Sequence, residues 1–321
     1  MPDNRTRCTL SNLAGRLRSE FAAYQFVDAA TQIYSAIVTL LLVFRWPQAP
    51  SQAPWLVSAH LLGALLLHGL IQGYHQRPSH RALDLARHFY PLPLFILFYS
   101  ETEALNQLVF SGYLDLHFLR WEQQLFGTQP SLDGMHHFPS RWVAELLFGA
   151  YFSFYLMIVG VGVALLARQR EAFRHFMSVT VFVFYACYLA YIALPVVGPR
   201  VAYPGVVTPP LQLNEFLSSP ITPPASVQSA VFYQWMDWIY RHFEGAGAAF
   251  PSSHVAVAIV TVWFSFRYLR AIRWFHAAAA ALLCISTVYG RYHYVIDVIG
   301  GIATAVILIP IGNWLYFRTR S

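Results

Sequence analysis

A histidine and an aspartate four residues apart, His293 and Asp297, are the most informative pair in the chain. Residues at this spacing share one face of a helix, one turn apart. We therefore expect Asp297 to accept a hydrogen bond from one ring nitrogen of His293, which leaves the other nitrogen free as a nucleophile. The alternative is a helix-start aspartate beside a histidine at the membrane interface.

A second histidine, His254, follows Pro251, Ser252 and Ser253 at the predicted start of a helix. Proline suits the first turn of a helix. The N–H groups of Ser252, Ser253 and His254, together with the helix dipole, predict a phosphate-binding cradle. In such a cradle His254 can protonate a departing oxygen as a general acid. A helix cap beside a solvated histidine is the plainer alternative.

Two arginines accompany these patches: Arg291 stands two residues before His293, and Arg200 ends a separate patch, Gly198-Pro199-Arg200. The planar guanidinium can hold phosphate oxygens in a two-pronged grip, although anchoring to lipid headgroups is an equal alternative. Phosphoryl transfer requires mainly positioning and charge stabilisation. No acidic cluster suited to Mg²⁺ is evident, so we expect a route through a phosphohistidine without a metal or a cofactor.

The composition places these residues in a membrane protein. The chain has 321 residues, of which 57% are hydrophobic and 11% are charged, against about 25% charged residues in a soluble domain. The mean hydropathy is +0.45. All 21 basic residues are arginine, and they stand in short loops between apolar runs. This arrangement predicts membrane topology and not a nucleic-acid partner.

Apolar runs long enough to cross a bilayer predict an all-α, polytopic helix bundle with about eight spans. The candidate spans are residues 27–45, 55–74, 89–110, 143–167, 176–196, 252–268, 273–290 and 295–316. The third is the weakest, because Glu101, Glu103 and Asn106 fall inside it, and it is either partly re-entrant or turns these groups toward the bundle interior.

The arginine distribution predicts the orientation. With a cytoplasmic N-terminus, most arginines fall in cytoplasmic segments, as the positive-inside rule requires, and an even number of spans returns the C-terminus to that side. All three chemical patches then lie on the extracytoplasmic face of a plasma or inner membrane. Two long segments lie on that face. Residues 111–142 are predicted to form a short amphipathic stretch on the membrane surface followed by a turn, and residues 197–250 are rich in Pro and Gly before an amphipathic stretch at 228–243.

These motifs resemble the type 2 phosphatidic acid phosphatase superfamily over roughly residues 140–321. Pro251-Ser252-Ser253-His254 is similar to the family's Pro-Ser-x-His patch, and His293-x-x-x-Asp297 to its final motif. Gly198-Pro199-Arg200 stands where the family has its first basic patch. The run from Ser286 to Asp297 is more similar to the inositol phosphorylceramide synthase branch.

The chain also departs from the family pattern. The usual lysine before the first patch is absent, and the arginine that normally precedes the nucleophilic histidine by six residues is replaced by Thr287. Arg291 is the candidate to replace it.

The resemblance implies roles and boundaries. His293 is implied as the nucleophile, Asp297 as its orienting partner and His254 as the proton donor. Arg200, Arg291, Ser252 and Ser253 are the predicted phosphate-binding residues. The resemblance also implies a six-helix core, made of the five spans in the catalytic region 143–321 and one earlier span. The first two spans belong to an N-terminal part (1–88), and the third span belongs to a part with an interfacial segment (89–142).

The predicted activity is that of a lipid phosphatase, or of a lipid phosphotransferase in which a lipid alcohol is the acceptor. A non-catalytic transporter or lipid-binding relative is the main alternative, and intramembrane Glu101, Glu103 and Asn106 suit that class. A metal site built from His254, His293 and Asp297 is a further alternative. A rhomboid-like serine protease fits poorly, because Ser252 and Ser253 lack a surrounding Gly-x-Ser-Gly sequence.

Overall fold

The fold is described from a computed structural model, over residues 22–203, 220–243 and 247–319. The predicted N-terminal segment with its four arginines and the Pro- and Gly-rich part of the 197–250 segment lie largely outside these residues. The protein is an all-α membrane helix bundle, as the sequence predicts. The helices are α1 (Phe26–Phe44), α2 (Ala53–Gln76), α3 (Arg81–Phe89), α4 (Pro91–Leu105), α5 (Asp115–Phe126), α6 (Pro130–His137), α7 (Arg141–Arg168), α8 (Arg170–Ala193), α9 (Pro199–Ala202), α10 (Ala225–Gln228), α11 (Val231–Phe243), α12 (Ser253–Tyr268), α13 (Arg273–Tyr289) and α14 (Val295–Arg318).

Five of the described helices, α1, α2, α7, α8 and α14, are long and apolar enough to cross a membrane. The other three predicted spans are also helical, as α4, α12 and α13, but they have only 15, 16 and 17 residues. They fall short of the roughly 20 residues that a perpendicular span needs. Five of the eight predicted spans are therefore long enough to cross a membrane, and the other three are helical but shorter than expected.

Helix α8 is the centre of the bundle. It packs against α1, α4, α7, α12 and α14, and side chains all around it are buried, including Phe176, Val183 and Cys187. A helix that is apolar on every side is stable only when other helices surround it. By contrast, α2 packs mainly on α1 and α3, and it leaves Leu65 and Leu66 more than half exposed, which fits a face toward lipid.

The polar residues of the weakest predicted span divide between two environments. Glu101 of α4 lies 3.0 Å from the Nε2 of His60 on α2, so this carboxylate faces the helix bundle. Asn106 is buried and Glu103 is exposed. Of the two alternatives, the inward turn therefore holds for Glu101 and Asn106, whereas the side chain of Glu103 is exposed.

Short helices cover one end of the bundle. α5 ends at Gly127, which has the left-handed φ of 68° typical of a helix C-terminus. α11 matches the amphipathic stretch expected at 228–243 and packs on α7. α6 packs on α13. The C-terminal end of α8 and the N-terminal ends of α12 and α14 meet below this layer, and this is where the predicted chemical residues lie.

Candidate active site

The predicted histidine–aspartate pair is formed. His293 lies in the link between α13 and α14, and its Nδ1 is 3.3 Å from the Oδ2 of Asp297 in the first turn of α14. The same oxygen accepts the Tyr294 N–H at 2.9 Å, which caps the helix. His293 and Asp297 are 4% and 0% exposed. Because its own helix holds the Asp297 carboxylate in place, the carboxylate orients the His293 ring through Nδ1.

Burial also sets the protonation state of His293. Removal of the ring from water lowers the pKa of His293 to about 4, and a hydrogen bond to the backbone of Ala249 acts in the opposite direction. The imidazole is therefore neutral at pH 7. A neutral ring with one nitrogen directed at Asp297 keeps a lone pair on the other nitrogen, as a nucleophile requires.

Helix α12 brings the second histidine to the first. The Ser252 N–H donates to the backbone oxygen of Asp297 at 3.0 Å, so the starts of α12 and α14 are joined directly. The ring centroids of His254 and His293 are 5.7 Å apart, with planes inclined at 60°. The two imidazoles expected to act together are therefore neighbours.

The predicted phosphate cradle requires correction. The Ser252 N–H is taken by Asp297, and the Ser253 N–H donates to the hydroxyl of Tyr191 at 3.2 Å. The Ser252 side chain accepts the Val255 N–H as a helix cap. Ser252 and Ser253 are 0% and 5% exposed. Their amide groups hold the helix start in place and are not free to bind phosphate, because tertiary contacts already satisfy them.

A tyrosine that the sequence reasoning missed contacts His254. The hydroxyl of Tyr151 on α7 lies 3.1 Å from the His254 Nε2 and also forms a hydrogen bond with the Tyr240 hydroxyl. Nδ1 of His254 is buried without a hydrogen-bond partner among the described residues. Tyr151 stands inside an apolar span, and no local sequence signal distinguishes it from the other tyrosines of the chain.

Arg200 reaches the same group of residues. Its loop passes so close to Tyr292 that a Cβ on Gly198 would lie 2.9 Å from the Tyr292 carbonyl oxygen, and Gly198 has a φ of +84°. Only glycine fits such a position without strain. The Arg200 guanidinium lies 4.6 Å from the ring centroid of Tyr240 and 3.5 Å from Asp237. Its side chain is 26% exposed, at the rim of the site.

Arg291 does not reach the phosphate site, contrary to expectation. Its guanidinium donates to the backbone oxygens of Leu132 at 2.9 Å and Pro220 at 3.4 Å, and also to that of Ile221. The residue has a φ of 63° and is 6% exposed. Burial lowers the pKa of its guanidinium. Arg291 therefore ties the His293 loop to α6 and to the 220–221 segment, because these carbonyls take its donors.

Two cavities meet at His254. The smaller one, lined by both histidines with Tyr99, Tyr240 and Tyr292, measures about 10 Å³, which is room for about one water. This space is too small for a phosphate, so the binding of a phosphate between the two rings requires side chains there to move. The larger cavity measures about 470 Å³. Its lining is mostly aromatic and comes from α4, α7, α8, α11 and α12: Phe95, Ile96, Tyr99, Phe152, Phe154, Tyr155, Phe184, Tyr188, Ile239, Tyr240, Ser253 and His254.

Two buried carboxylates behind the site were also missed. Asp115 and Glu122 of α5 are both 0% exposed. Burial raises the pKa of Asp115 to about 6 and that of Glu122 to about 8. The sequence of their segment is typical of an amphipathic surface helix, in which acidic residues normally face water. The sequence alone therefore gives no reason to predict that these two are buried.

The comparisons with known proteins agree with the motifs. The family described as the PAP2 superfamily matches residues 116–311, which include all seven predicted site residues. A PA-phosphatase related-family protein of Dictyostelium discoideum is 30% identical over 71 residues, which are 22% of this chain and 13% of that protein. This chain thus matches only a small part of that relative's length. No solved structure matches significantly. The inositol phosphorylceramide synthase branch stays a prediction.

Proposed function

The chain belongs to the PAP2 superfamily, and on that premise we propose that it is an integral membrane lipid phosphatase or lipid phosphotransferase that works through a phosphohistidine. The observation that carries the proposal is the 5.7 Å pairing of His254 with an Asp297-bound His293 beside an apolar cavity of about 470 Å³. A soluble phosphate would need no such cavity, whereas the hydrocarbon chain of a lipid phosphate would fill it.

In the first step the free ring nitrogen of His293 attacks phosphorus, and the bond from phosphorus to the lipid oxygen breaks. His254 donates a proton to that oxygen, so that the alcohol leaves neutral. Tyr151 occupies Nε2 of His254, which leaves Nδ1 for this proton. Asp297 stabilises the positive charge that develops on His293, and Arg200 at the rim balances the charge of the phosphate oxygens.

In the second step His254 takes a proton from water or from a lipid alcohol. The resulting nucleophile attacks the phosphohistidine, the bond from phosphorus to nitrogen breaks, and His293 is regenerated. Water as the acceptor makes the protein a phosphatase, and a lipid alcohol makes it a transferase. The motifs similar to inositol phosphorylceramide synthases favour phosphodiester and sphingolipid substrates. The arginine distribution favours a site on the extracytoplasmic face with both termini in the cytoplasm.

The test uses purified protein in lipid nanodiscs with three substrates: phosphatidate, a prenyl diphosphate, and phosphatidylinositol supplied with ceramide. We expect turnover of at least one of them and an acid-labile ³²P label on wild type that is absent from His293→Ala. If wild type and His293→Ala behave alike on all three, the enzymatic proposal is rejected.

A non-catalytic transporter or lipid-binding role is the second candidate, and the His60–Glu101 pair between α2 and α4 favours it. Ionisable residues inside a bundle often mark a transport path, and a cavity of about 150 Å³ adjoins this pair. This role predicts lipid transfer between leaflets that survives His254→Ala and is lost in Glu101→Gln. The catalytic role instead predicts turnover of a lipid phosphate that is lost in His254→Ala and survives in Glu101→Gln.

A further inference from the structure

Two acidic side chains on one face of α5 are buried at the active-site end of the bundle. Asp115 and Glu122 are seven residues apart, which places them two turns apart on the same side of the helix. A buried carboxylate is costly unless donors satisfy it. The segments that supply these donors therefore indicate which parts of the protein α5 holds in place.

Asp115 accepts hydrogen bonds from two separate loops. Its Oδ2 accepts the Val197 N–H at 3.0 Å, and its Oδ1 accepts the Gly198 N–H at 3.0 Å and the Tyr294 hydroxyl at 2.9 Å. The two amides belong to the link after α8, and the hydroxyl belongs to the link before α14. The backbone of α5 joins the same region, since the Leu114 N–H donates to the oxygen of Pro195 at 2.8 Å.

Each of these loops carries one half of the proposed chemistry. Gly198 is two residues before Arg200, which faces the phosphate oxygens in the proposed mechanism. Tyr294 follows His293 directly, and its N–H is held by Asp297. A single carboxylate thus contacts both the loop of the phosphate-binding arginine and the loop of the nucleophile.

Glu122 supports the same end of α14. Its Oε1 accepts the Val295 N–H, and its Oε2 has no hydrogen-bond partner among the described residues. With Asp297 capping one amide and Glu122 another, the start of α14 is held from both its own chain and α5. Phe118 of α5 also packs against the rings of Tyr294 and Phe250, so the contact is apolar as well as polar.

We propose that Asp115 is a positioning residue that holds the Arg200 loop and the His293 loop in the relative placement required for phosphoryl transfer. This inference rests on the proposed function. Helix α5 carries no catalytic side chain in the proposed mechanism. Its role is to hold the Arg200 loop and the His293 loop at a fixed distance and orientation. A shift of about 1 Å between such groups is enough to reduce turnover strongly.

The first test separates the two halves by kinetics. Asp115→Asn can accept through only one oxygen, so at least one of the three donors loses its partner. We expect its kcat for the lipid phosphate to fall about tenfold or more and its inhibition constant for orthovanadate, a phosphate mimic, to rise by a similar factor. Tyr294→Phe removes only the bond on the His293 side, so kcat falls while vanadate inhibition changes less than about twofold.

Asp28→Asn is the matched control. Asp28 is also a fully buried carboxylate that accepts from a backbone amide, Gln25 N–H, and from a tyrosine hydroxyl, that of Tyr90. Asp28 also forms an ion pair with Arg87, and the neighbouring His88 accepts from Arg174 near the start of α8, so Asp28 lies at the opposite end of the bundle from the site. We expect Asp28→Asn to lose thermal stability while kcat and vanadate inhibition of the folded fraction stay at wild-type values.

The second test needs no enzymatic activity. Carbethoxylation of His293 by diethyl pyrocarbonate and modification of Arg200 by phenylglyoxal are followed by peptide mass spectrometry. Asp115→Asn is expected to raise both rates, Tyr294→Phe only that of His293, and Asp28→Asn neither. Equal rates in Asp115→Asn and wild type, or kinetic losses no greater than in Asp28→Asn, overturn the inference. Altered labelling in a protein that turns over no lipid phosphate supports the placement role and rejects the proposed function instead.

Discussion

The imidazole rings of His254 and His293 lie 5.7 Å apart, although His254 stands at the start of α12 and His293 in the link before α14. The contact that produces this proximity is the hydrogen bond from the Ser252 N–H to the backbone oxygen of Asp297. The residue that orients one histidine thereby also fixes the helix that carries the other. In the proposed mechanism the pair divides the work between nucleophile and proton donor, and the following predictions test this division.

The role of His254 as proton donor predicts a dependence on the leaving group. His254→Ala should lower kcat for a lipid phosphate by about 10²–10⁴, because an alkoxide must then leave without a proton. The loss should be much smaller for p-nitrophenyl phosphate, whose leaving group is stable as an anion. His293→Ala should abolish turnover of both substrates. Equal losses on both substrates for His254→Ala would contradict the assignment.

Substitution of the two arginines should affect phosphate binding differently. Of the two, only Arg200 contacts Tyr240 and Tyr292, which line the smaller cavity between His254 and His293. Arg200→Ala is expected to weaken vanadate inhibition about tenfold or more with little loss of stability, and Arg200→Lys to recover only part of this because it lacks the planar fork.

Arg291→Ala leaves the carbonyls of Leu132, Pro220 and Ile221 without their donor, which costs about 1–3 kcal/mol. Its melting temperature should fall while vanadate inhibition of the folded fraction changes little. The assignment fails if Arg291→Ala weakens inhibition as strongly as Arg200→Ala at an unchanged melting temperature.

Glu122 should make the protein less stable at alkaline pH. Its pKa is about 8 in the fold against an ordinary value of 4.5, so between these values the folded protein holds a proton that the unfolded chain has released. Stability therefore falls as pH rises through this window, by up to a few kcal/mol. Glu122→Gln cannot ionise and keeps an oxygen for the Val295 N–H, so its stability should change less with pH.

Melting temperatures at pH 6.5 and 8.5 isolate the contribution of Glu122. The raised pKa of Asp115 acts with the same sign between 3.8 and about 6, and the lowered pKa of His293 acts with the opposite sign between about 4 and 6.5. Asp115 has largely titrated by pH 6.5, and comparison with Glu122→Gln cancels the remaining titration of His293, which is half complete there in the unfolded chain. Parallel curves for wild type and Glu122→Gln above that pH would exclude a protonated Glu122.

Helix α4 should select the hydrocarbon chain of the substrate. It contributes Phe95, Ile96 and Tyr99 to the large cavity, yet it lies outside the matched family region of residues 116–311. Ile96→Trp should narrow the cavity and lower kcat/KM for long-chain lipid phosphates by about tenfold while sparing a short-chain soluble phosphate.

Leu92→Trp, on the same helix but outside this cavity, is the control for Ile96→Trp and should leave both substrates unaffected. Equal effects of Ile96→Trp on long and short chains would show that the cavity does not hold the chain.

Features that depend on neighbouring residues along the chain, such as apolar helices and helix starts, were predictable from the sequence. Hydrophobic runs gave the all-α membrane class and the positions of the apolar helices, because lipid requires each span to satisfy its backbone internally. The four-residue spacing of His293 and Asp297 predicted their contact, although His293 lies in the link just before α14 and reaches the first turn of that helix from there. Pro251 and Ser252 likewise marked the start of α12.

The convergence of groups from distant parts of the chain could be read only from the packed helices. Their packing turned Arg291 toward backbone carbonyls, engaged the Ser252 and Ser253 amides, and brought Tyr151 to His254. It also buried Asp115 against two loops. A side chain's partner in these cases is chosen by helix packing and by the demand that buried polar groups find donors or acceptors. Neither residue type nor spacing along the chain encodes that choice locally.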